Sequence, residues 1–379
     1  MSKQSSGHFI RCKEGYQAFI PNQLPPEITW STKLTKALSD ADRLIGKLAG
    51  EGKRLPNPHL LMRPFLRREA VLSSRIEGTQ STLGELLAKE AGANVERSPD
   101  DLREVGNYVT AIEYGIKRLK TLPLSLRLVR ELHEKLMKGV RGRTATPGEF
   151  RRSQNWIGIP GSTISNATYI PPPPNKLMSC LGDWEKFLHD RTIPPLVQVA
   201  MIHYQFEAIH PFLDGNGRVG RLLITLLLIE RDILPTPLLY LSAFFEATRR
   251  DYYDLLLDVS LKGNWEKWLE YFFNGVARQS EDALSRAERI NKKLDTWKDQ
   301  ITAKTLLKVI DMIAANPFVT VKGVAAKLKV AFTTAQRAVD KLKDLGILKQ
   351  MDKAKRDRVY CAKDIFDILE EPAKLDSSS

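Results

Sequence analysis

Cysteine is scarce in this chain: Cys12, Cys180 and Cys361 are its three cysteines, and they lie far apart in the sequence. They form neither a C-x-x-C pair nor an even-numbered framework, which excludes a disulfide scaffold and a cysteine-bound structural zinc. The first residues, MSKQSSGHFIRCKEG, lack the apolar core of a secretory signal peptide. The sequence therefore predicts a protein of a reducing compartment, the cytoplasm.

Long apolar runs are missing as well. The longest, Leu222–Ile229, is interrupted by Thr225 and is far shorter than the roughly 20 residues of a membrane-spanning helix, so we expect no membrane contact. Apolar residues make up 42% and charged residues 27% of the 379 residues, as in ordinary globular proteins. A chain of this length can bury a sizeable core and is expected to form two or three domains.

Acidic residues are outnumbered by basic ones. The chain has 58 Lys and Arg against 45 Asp and Glu, which gives a net charge of +13. Residues 301–362 alone hold 13 basic and 5 acidic residues, a net of +8. The excess favours a phosphate-bearing partner such as a nucleotide or a nucleic acid, and a basic surface that serves solubility alone is the alternative.

Helical periodicity dominates most of the chain. Gly78 is a natural helix stop, and Thr82 with Glu85 has the spacing of a capping box that starts the next helix. Residues 139–174, rich in Gly, Pro, Ser and Asn, are expected to form an irregular loop with a small hairpin. Helices are predicted near 33–48, 64–78, from Thr82, from Ser98-Pro99, and near 125–137, 176–190, 195–209, 217–231, 249–261 and 265–290.

From about residue 301 the pattern changes to three short helices followed by two short strands, ILKQM and RVYCA. This order is typical of a winged helix-turn-helix domain. The recognition helix would be Thr333–Leu345, and the wing would be Lys353–Arg358, which suits DNA phosphate. A small helical domain for dimerisation or target recruitment is the alternative. The predicted recognition helix carries Gln336, Arg337, Lys341 and Lys343.

The segment His210–Arg221, HPFLDGNGRVGR, contains a literal G-x-G-x-x-G at Gly215–Gly220. A dinucleotide-binding fold requires a strand before this motif. The preceding residues, LVQVAMIHYQFEAIHPF, have helical periodicity instead, which excludes that interpretation. The sequence contains no G-x-x-x-x-G-K-[ST], so it has no Walker A loop either.

The chemistry of this loop still points to phosphate. Its glycines let the backbone approach a ligand closely and aim N–H groups at it, and the helix that begins near Gly217 adds its positive end. Arg218 and Arg221, three residues apart, can bind different phosphates of one chain. Asp214 is a suitable ligand for Mg²⁺ between phosphates, and His210 can accept a proton from an incoming hydroxyl.

At these residues the sequence resembles the Fic family, whose signature is H-x-F-x-[DE]-G-N-G-R-x-x-R. The resemblance extends over roughly 100–275 and includes PGEFR at 147–151. It implies a protein adenylyltransferase with a helical bundle core, which transfers AMP from MgATP to a Ser, Thr or Tyr hydroxyl of a target protein. The signature positions match without departure at His210, Phe212, Asp214, Gly215, Asn216, Gly217, Arg218 and Arg221.

The resemblance also implies roles for individual residues. His210 would be the catalytic base, and Asp214 would bind Mg²⁺. The segment Gly161–Tyr169 would be a β-hairpin flap that aligns the backbone of the target by strand addition. The residues expected to contact ATP are Phe212, Gly215, Asn216, Gly217, Arg218, Val219, Gly220, Arg221 and Tyr253, together with Glu77.

A second motif lies upstream, where SSRIEG at Ser73–Gly78 fits [ST]-x-x-x-E-[GN], the inhibitory motif of some Fic proteins. Ser73 and Glu77 are four residues apart and project from one helical face. Glu77 would pair with Arg221 and deny this arginine to the γ-phosphate of ATP. In some relatives the same glutamate supports removal of AMP from a modified protein, and the sequence leaves both directions open.

The predicted organisation is mainly α: an N-terminal helical region with the inhibitory motif (1–98), a Fic core with a flap (99–290) and a winged helix-turn-helix domain (301–370). One alternative is a DNA-binding regulator that uses the core as a nucleotide sensor. Another is an enzyme that transfers a different phosphate-containing group. Self-modification and a homodimer are compatible with the leading interpretation.

Other residues are expected to be structural. His203 lies seven residues before His210, but no third ligand has the spacing to complete a metal site, so we expect it to pack in the core. His133 and Glu134 lack the second histidine of a zinc protease. The aromatic residues expected to pack helices together are Phe244, Phe245, Tyr252, Tyr253, Trp265, Trp268, Tyr271 and Phe272.

Overall fold

Fifteen α-helices and five short strands make up the part of the chain that the computed structural model describes, residues 6–54, 58–95, 99–140, 146–351 and 358–373. The prediction of a mainly helical fold is confirmed. The helices are α1 (Thr32–Arg54), α2 (Pro58–Ile76), α3 (Leu83–Glu90), α4 (Pro99–Arg118), α5 (Leu126–Leu136), α6 (Pro174–Leu188), α7 (Pro195–Ile209), α8 (Asn216–Glu230), α9 (Ser242–Ala247), α10 (Arg249–Lys262), α11 (Trp265–Asp299), α12 (Lys304–Ala315), α13 (Val321–Leu328), α14 (Phe332–Asp344) and α15 (Lys363–Glu370). The strands are β1 (Gly7–Arg11), β2 (Gln17–Pro21), β3 (Phe318–Thr320), β4 (Lys349–Gln350) and β5 (Val359–Cys361).

Helices α7 and α8 form the centre of the core. Both are apolar on nearly all sides, and almost every residue of each helix is buried, as expected of a helix that is surrounded by protein. They pack against each other, while α6, α10 and α11 contact α7 and α4 and α5 contact α8. The loop that joins α7 to α8 is therefore anchored at both ends by the most deeply buried helices of the chain.

Helix α2 packs on α4, α8 and α9, which brings its C-terminal end close to α8. It begins at Pro58, so the predicted start near Pro64 is wrong. Pro64 lies inside the helix, where its missing N–H costs one hydrogen bond that tertiary packing outweighs. The predicted stop is confirmed, since the helix ends before Gly78, which adopts a left-handed φ of 101°.

Several helix boundaries follow from local signals. Thr82 and Glu85 form the predicted capping box at the start of α3. Helix α4 begins at Pro99 as predicted, while its predicted cap, Ser98, lies outside the described residues. Helix α11 continues to Asp299, beyond the predicted end near 290, where Lys293 pairs with Asp364 of α15 and Lys298 with Asp311 of α12. The described helices include none long and apolar enough to cross a membrane.

Besides β3 of the C-terminal sheet, three short elements were not predicted: the β1–β2 hairpin, α9 and α15. The hairpin strands pair antiparallel with Gly7 opposite Pro21, and β2 packs on α6 and α7 with Ala18 and Phe19 fully buried. Elements of five to eight residues carry too little periodicity to stand out in a sequence. Burial against the rest of the fold determines them.

The C-terminal unit, residues 304–373, shows the predicted order of three helices and two strands. An additional strand, β3, completes an antiparallel sheet of order β3-β5-β4. Helix α14 coincides with the predicted recognition helix, whereas most of the predicted wing, residues 352–357, lies outside the described residues. The unit packs on helix α2 through α12 and α15, and Asn316 and Thr320 donate hydrogen bonds to carbonyl groups at the end of α3.

Candidate active site

The loop between α7 and α8, residues 210–215, turns the chain back on itself within six residues. His210 caps α7 in the left-handed region at φ 49°, and Gly215 precedes α8 at φ 79°. A side chain at position 215 would be strained and would also meet Sδ of Met137 at 2.9 Å, so glycine is required there. The turn leaves the backbone N–H groups at the start of α8 without helical partners, which makes them available to an anion.

Asn216 and Phe212 shape this loop from within. The Asn216 side chain accepts a hydrogen bond from the backbone N–H of Phe212 and donates one to its carbonyl, both at 2.8 Å. The Phe212 ring is buried and stacks on His133 with the centroids 3.7 Å apart. Both side chains therefore point into the protein and hold the loop, and their contact with a nucleotide stays a prediction.

Arg151 and Asn155 hold the loop from behind. Nε of Arg151 donates to the carbonyl of His210 at 2.9 Å, and Nδ2 of Asn155 donates to the carbonyls of His210 and Phe212. Arg151 is buried, and its other nitrogens contact the carbonyls of Ser153, Ile209 and Pro172. Sequence reasoning missed these positioning roles. Arg151 lies within PGEFR, and this motif was the one signal that could have found it.

Removal of the Arg151 side chain is expected to destabilise the protein. Arg151→Ala leaves several buried carbonyls without donors, which costs about 3–5 kcal/mol in free energy of unfolding. Arg152→Ala is the matched control, since Arg152 is 89% exposed and pairs with Glu149, and such a pair contributes about 1 kcal/mol or less. Urea unfolding of both variants measures the difference, and equal effects would contradict the anchoring role.

His210 faces the site as a neutral imidazole. Its Nδ1 lies 3.3 Å from the carbonyl oxygen of Glu207, so the proton of the neutral ring belongs on Nδ1 and the lone pair on Nε2. Burial lowers the pKa of His210 to about 4, with the charge of Arg151 adding to the effect. The ring is therefore ready to accept a proton at neutral pH.

Acid is expected to destabilise the fold through three histidines, of which His133 and His203 are buried and His210 is half-buried. Burial lowers the pKa of His133 and His210 to about 4 and that of His203 to about 3, below the unfolded value of about 6.5. Their contribution to stability is complete above about pH 6.5 and is lost as the pH falls through about 4. The carboxyl groups shift in both directions. Burial raises the pKa of Glu207 to about 8 and also raises that of Glu69 and Glu104, which opposes the histidines, whereas the lowered pKa values of Glu77, Glu131 and Asp258 add to their effect. Urea unfolding across this pH window measures the slope, and a flat profile would contradict it.

Arg221 is engaged by the end of helix α2. Its Nε donates to Oγ of Ser73 at 2.9 Å, and Nη2 donates to the Ser73 carbonyl at 2.9 Å and to Oε1 of Glu77 at 2.6 Å. The guanidinium is buried, with 1% of the side chain exposed. Burial alone would lower the pKa of Arg221, but Glu77 together with Tyr252, Tyr253 and Glu207 outweighs this effect and raises the pKa. Conversely, Arg221 overcomes the effect of burial on Glu77 and lowers the pKa of that carboxyl.

The carboxylate of Glu77 also covers the glycine turn. A Cβ at position 217 would clash with Oε1 of Glu77, so the carboxylate rests directly on the backbone of Gly217 at the start of α8. The Gly217 backbone and Arg221 are two of the groups that the sequence predicts to bind phosphate. Both have a carboxylate against them in this structure.

Arg218 has different neighbours from Arg221. Its Nη1 donates to Glu104 of α4 at 2.8 Å, and Nη2 lies 3.5 Å from Oδ1 of Asp214. Only 3% of its side chain is exposed. The two arginines, three residues apart, are thus each held by a carboxylate from another helix or loop, and a phosphate contact of Arg218 stays a prediction.

Asp214 fits the requirements of a magnesium ligand. Its Oδ1 accepts a hydrogen bond from the backbone N–H of Gly215 at 2.5 Å, while 53% of the side chain remains exposed. The described residues contain no group of three or more His, Cys, Asp or Glu arranged around a metal. One exposed carboxylate suits Mg²⁺, which proteins commonly bind through one or two carboxylates together with substrate phosphates.

The remaining candidates lie around this centre. Val219 is buried behind the turn, and Tyr253 is 41% exposed at the start of α10. His203 is a packing residue as predicted, since its Nε2 lies 2.8 Å from the Tyr252 hydroxyl and its ring stacks on Phe245. The predicted aromatic packing is also confirmed, because rings from α7, α9, α10 and α11 contact one another.

The predicted flap, Gly161–Tyr169, is fastened at its base. Ile157 and Tyr169 form a single antiparallel bridge, and the hydroxyl of Tyr169 donates to the carbonyl of Ala208 near the end of α7. A short 3₁₀ helix at Ile164–Asn166 occupies the tip instead of extended strands. Trp156, Ile157 and Ile159 are exposed beside it. A role in aligning a target stays a prediction.

Comparison with known proteins identifies the family. Residues 35–117 match the model of the Fic/DOC family N-terminal region, and residues 123–228 match the model of the Fic/DOC family itself. The chain belongs to the Fic/DOC family. The second match contains the α7–α8 loop with all eight signature positions, and the first contains Ser73 and Glu77.

Named relatives of this Fic protein are adenylyltransferases. The chain is 31% identical over 166 residues to Protein adenylyltransferase Fic of Drosophila erecta, which covers 42% of this chain and 31% of that protein. The Drosophila melanogaster protein of the same name is 30% identical over the same length. The chain therefore spans about a third of the length of the curated relatives that it matches.

Solved structures share the fold. A Fic family protein from Desulfovibrio desulfuricans G20 has a TM-score of 0.60 at 20% identity, covering 89% of this chain and 98% of that chain. A fragment of Fic-1 from C. elegans has a TM-score of 0.53 at 22% identity, covering 67% and 73%.

Proposed function

We propose that this Fic protein transfers AMP from MgATP to a Ser, Thr or Tyr hydroxyl of a target protein and that Glu77 restrains this activity. The observation that carries the proposal is a neutral His210 beside the glycine turn at the start of α8, with the buried cation of Arg221 one turn further along. The names of the curated relatives support AMP as the transferred group.

The triphosphate would lie against the start of α8. The N–H groups of Asn216 and Gly217 and the positive end of the helix would bind phosphate oxygens. The Gly215 N–H, which donates to Asp214 in this structure, would join them once Asp214 turns to Mg²⁺, and Arg221 would bind the γ-phosphate once Glu77 has moved. Asp214 would hold Mg²⁺, which neutralises negative charge on the phosphates. Tyr253 would lie on the adenosine side. Arg218 would support the loop through Glu104 and Asp214.

The chemical step follows from the state of His210. Its Nε2 takes the proton of the target hydroxyl, whose oxygen then forms a bond to the α-phosphorus. The bond from the α-phosphorus to the bridging oxygen breaks, and pyrophosphate leaves with the electron pair. Positioning and stabilisation of charge supply most of the rate enhancement in such transfers.

Target binding would use the flap. An extended segment of the target would add to the edge of residues 157–169 and present its hydroxyl to His210. The exposed Trp156 and Ile159 would contact apolar side chains next to the modified residue. A flap of the same or a second copy of this chain also carries hydroxyls, such as Ser165 and Thr168, which makes self-modification part of the proposal.

Labelled ATP tests the transferred group. ATP labelled at the α-phosphate should leave label on protein, whereas ATP labelled at the γ-phosphate should not. Label from the γ position alone would contradict AMP transfer and favour transfer of a phosphate group. Because Glu77 restrains the wild-type chain, the Glu77→Gly protein is the sensitive form for this comparison.

Removal of AMP from a modified protein is the second direction that the same site supports. In this reaction Glu77 would orient a water molecule toward the phosphodiester instead of excluding a phosphate. Incubation of an AMP-modified target with the wild type and with Glu77→Gly distinguishes removal of AMP from its addition. Release of AMP that requires Glu77 would assign the reverse reaction to this chain.

A DNA contact of the C-terminal unit is a second candidate function. Arg337, Lys341 and Lys343 are exposed on α14, and none has a carboxylate partner within the described residues. A winged helix-turn-helix places such a helix in the major groove. Duplex DNA binding that the Arg337→Glu/Lys341→Glu variant loses, with the fold unchanged, would support the regulator. Retained binding, or none in the wild type, would favour protein recruitment by this unit.

A further inference from the structure

A carboxyl group outside the family signature lies next to the phosphate site. Glu207 belongs to the last turn of α7, three residues before His210. Its Oε1 is fully enclosed and has no hydrogen-bond partner among the described residues. A Cβ at position 220 would clash with this oxygen, so the carboxyl rests on the backbone of Gly220 in α8, directly beside Arg221.

The groups that face Glu207 come from four elements. Arg221 of α8 attracts its negative charge, and Glu77 at the end of α2 repels it. His203 of α7 also lies against the backbone of Gly220, and it is neutral because burial lowers its pKa to about 3. Tyr252 of α10 is neutral as well, since burial raises its pKa.

Arg221 therefore has three carboxyl groups near it and pairs directly with one, Glu77. Glu69 accepts hydrogen bonds from Tyr108 and Ser242 instead. Ser73 and Glu77 accept hydrogen bonds from Nε and Nη2 of the guanidinium at 2.6–2.9 Å, whereas Glu207, which is half-buried, has an enclosed Oε1 without a hydrogen-bond partner among the described residues. Burial raises its pKa to about 8. If Glu77 leaves, Arg221 keeps its hydrogen bonds to Ser73 but becomes a buried cation without a carboxylate paired to it, a state that proteins avoid because of its desolvation cost. Glu207 is the carboxyl positioned to replace Glu77.

We propose that Glu207 is a positioning residue for Arg221 that loses its proton when Glu77 leaves and regains one when the γ-phosphate of ATP takes the arginine. This inference rests on the proposed function. In the inhibited state Glu77 pairs with Arg221 and Glu207 is protonated. In the released, empty site Glu207 ionises and holds the guanidinium in place. When the nucleotide binds, Arg221 pairs with its γ-phosphate, and Glu207 takes a proton from the solvent.

Proton uptake on nucleotide binding tests this exchange. The Glu77→Gly/His210→Ala protein is released from inhibition and cannot turn ATP over. Calorimetric titration with MgATP near pH 7.5, in buffers of different ionisation enthalpy, should reveal uptake of up to about one proton per nucleotide. The same titration of Glu77→Gly/His210→Ala/Glu207→Gln should show binding without uptake. Equal uptake in the two proteins, or none in the first, would overturn the proposal.

Two further calorimetric measurements leave Glu207 unchanged and therefore do not depend on whether the Glu207→Gln variant folds. His210→Ala with Glu77 intact should take up almost no proton, because Glu207 is protonated before and after binding. For Glu77→Gly/His210→Ala, uptake should disappear as the pH is raised well above 8, where Glu207 is ionised in both states. Proton uptake that persists in either measurement would contradict the assignment of the proton to Glu207. Failure of MgATP to bind at all would instead contradict the proposed nucleotide site.

Discussion

Replacement of His210 by alanine in the Glu77→Gly protein is expected to abolish AMP transfer, with a loss of about 10²–10⁴-fold or more in rate. The substitution removes the Nε2 that accepts the proton of the target hydroxyl, while the phosphate-binding backbone stays in place. Transfer of α-label from ATP to protein at saturating nucleotide measures the loss. Nucleotide affinity should change far less than the rate, because His210 acts on the hydroxyl and not on the phosphates.

The matched control for this substitution is His189→Ala in the same background. His189 is exposed at the end of α6 and belongs to none of the contacts around the α7–α8 loop. It should leave transfer unchanged. Substantial transfer by the His210→Ala protein would exclude His210 as the base and would require another proton acceptor within reach of the flap.

Replacement of Glu77 by glycine alone is expected to raise transfer by on the order of 10- to 100-fold. The variant frees Arg221 and uncovers the backbone of Gly217, the two groups against which the carboxylate lies. A charge-assisted hydrogen bond contributes about 1.5–3 kcal/mol, and each 1.4 kcal/mol corresponds to a factor of ten. Initial rates of α-label transfer by the wild type and Glu77→Gly measure the gain.

Two further variants separate the charge of Glu77 from its effect on the backbone. Glu77→Gln keeps the length of the side chain but removes the charge, and it should give a smaller gain than glycine. Ser73→Ala removes one of three hydrogen bonds to Arg221 and should raise transfer less than either. If Glu77→Gly raises the rate of transfer and Glu77→Gln does not, a looser backbone at the end of α2 is the cause. An unchanged rate in Glu77→Gly would exclude inhibition by this residue.

Local sequence patterns predicted the elements that carry strong local signals. The capping box of Thr82 and Glu85, the stop at Gly78 and the helices on both sides of His210 needed only neighbouring residues for their recognition. The predicted end of α11 and start of α2 were wrong because packing against α12 and α15 extends the first helix and packing against the core extends the second. The β1–β2 hairpin was missed since burial on α7, and not its own sequence, stabilises it.

The residues of the candidate site were also predicted only in part. The residue types of a phosphate site are contiguous in HPFLDGNGRVGR, so the sequence alone located the loop and its most reactive side chain. Arg151, Asn155 and Glu207 were missed as parts of the site. The first two lie in an irregular loop whose path no periodicity reveals, and Glu207 looked like an ordinary residue of a helix.

The sequence by itself determined the family, the reactive loop and the carboxylate of Glu77, which is expected to compete with the γ-phosphate of ATP for Arg221. Each of these features lies in a short, local run of residues. The tertiary structure alone decided how those parts face one another. It directed Arg218 to Glu104 and Arg221 to Ser73 and Glu77, although the two arginines are three residues apart. It turned Asn216 and Phe212 inward to hold the loop, and it enclosed Glu207 without a partner. These outcomes depend on contacts between helices far apart in the chain, where burial and the pairing of charges, and not local pattern, determine the free energy.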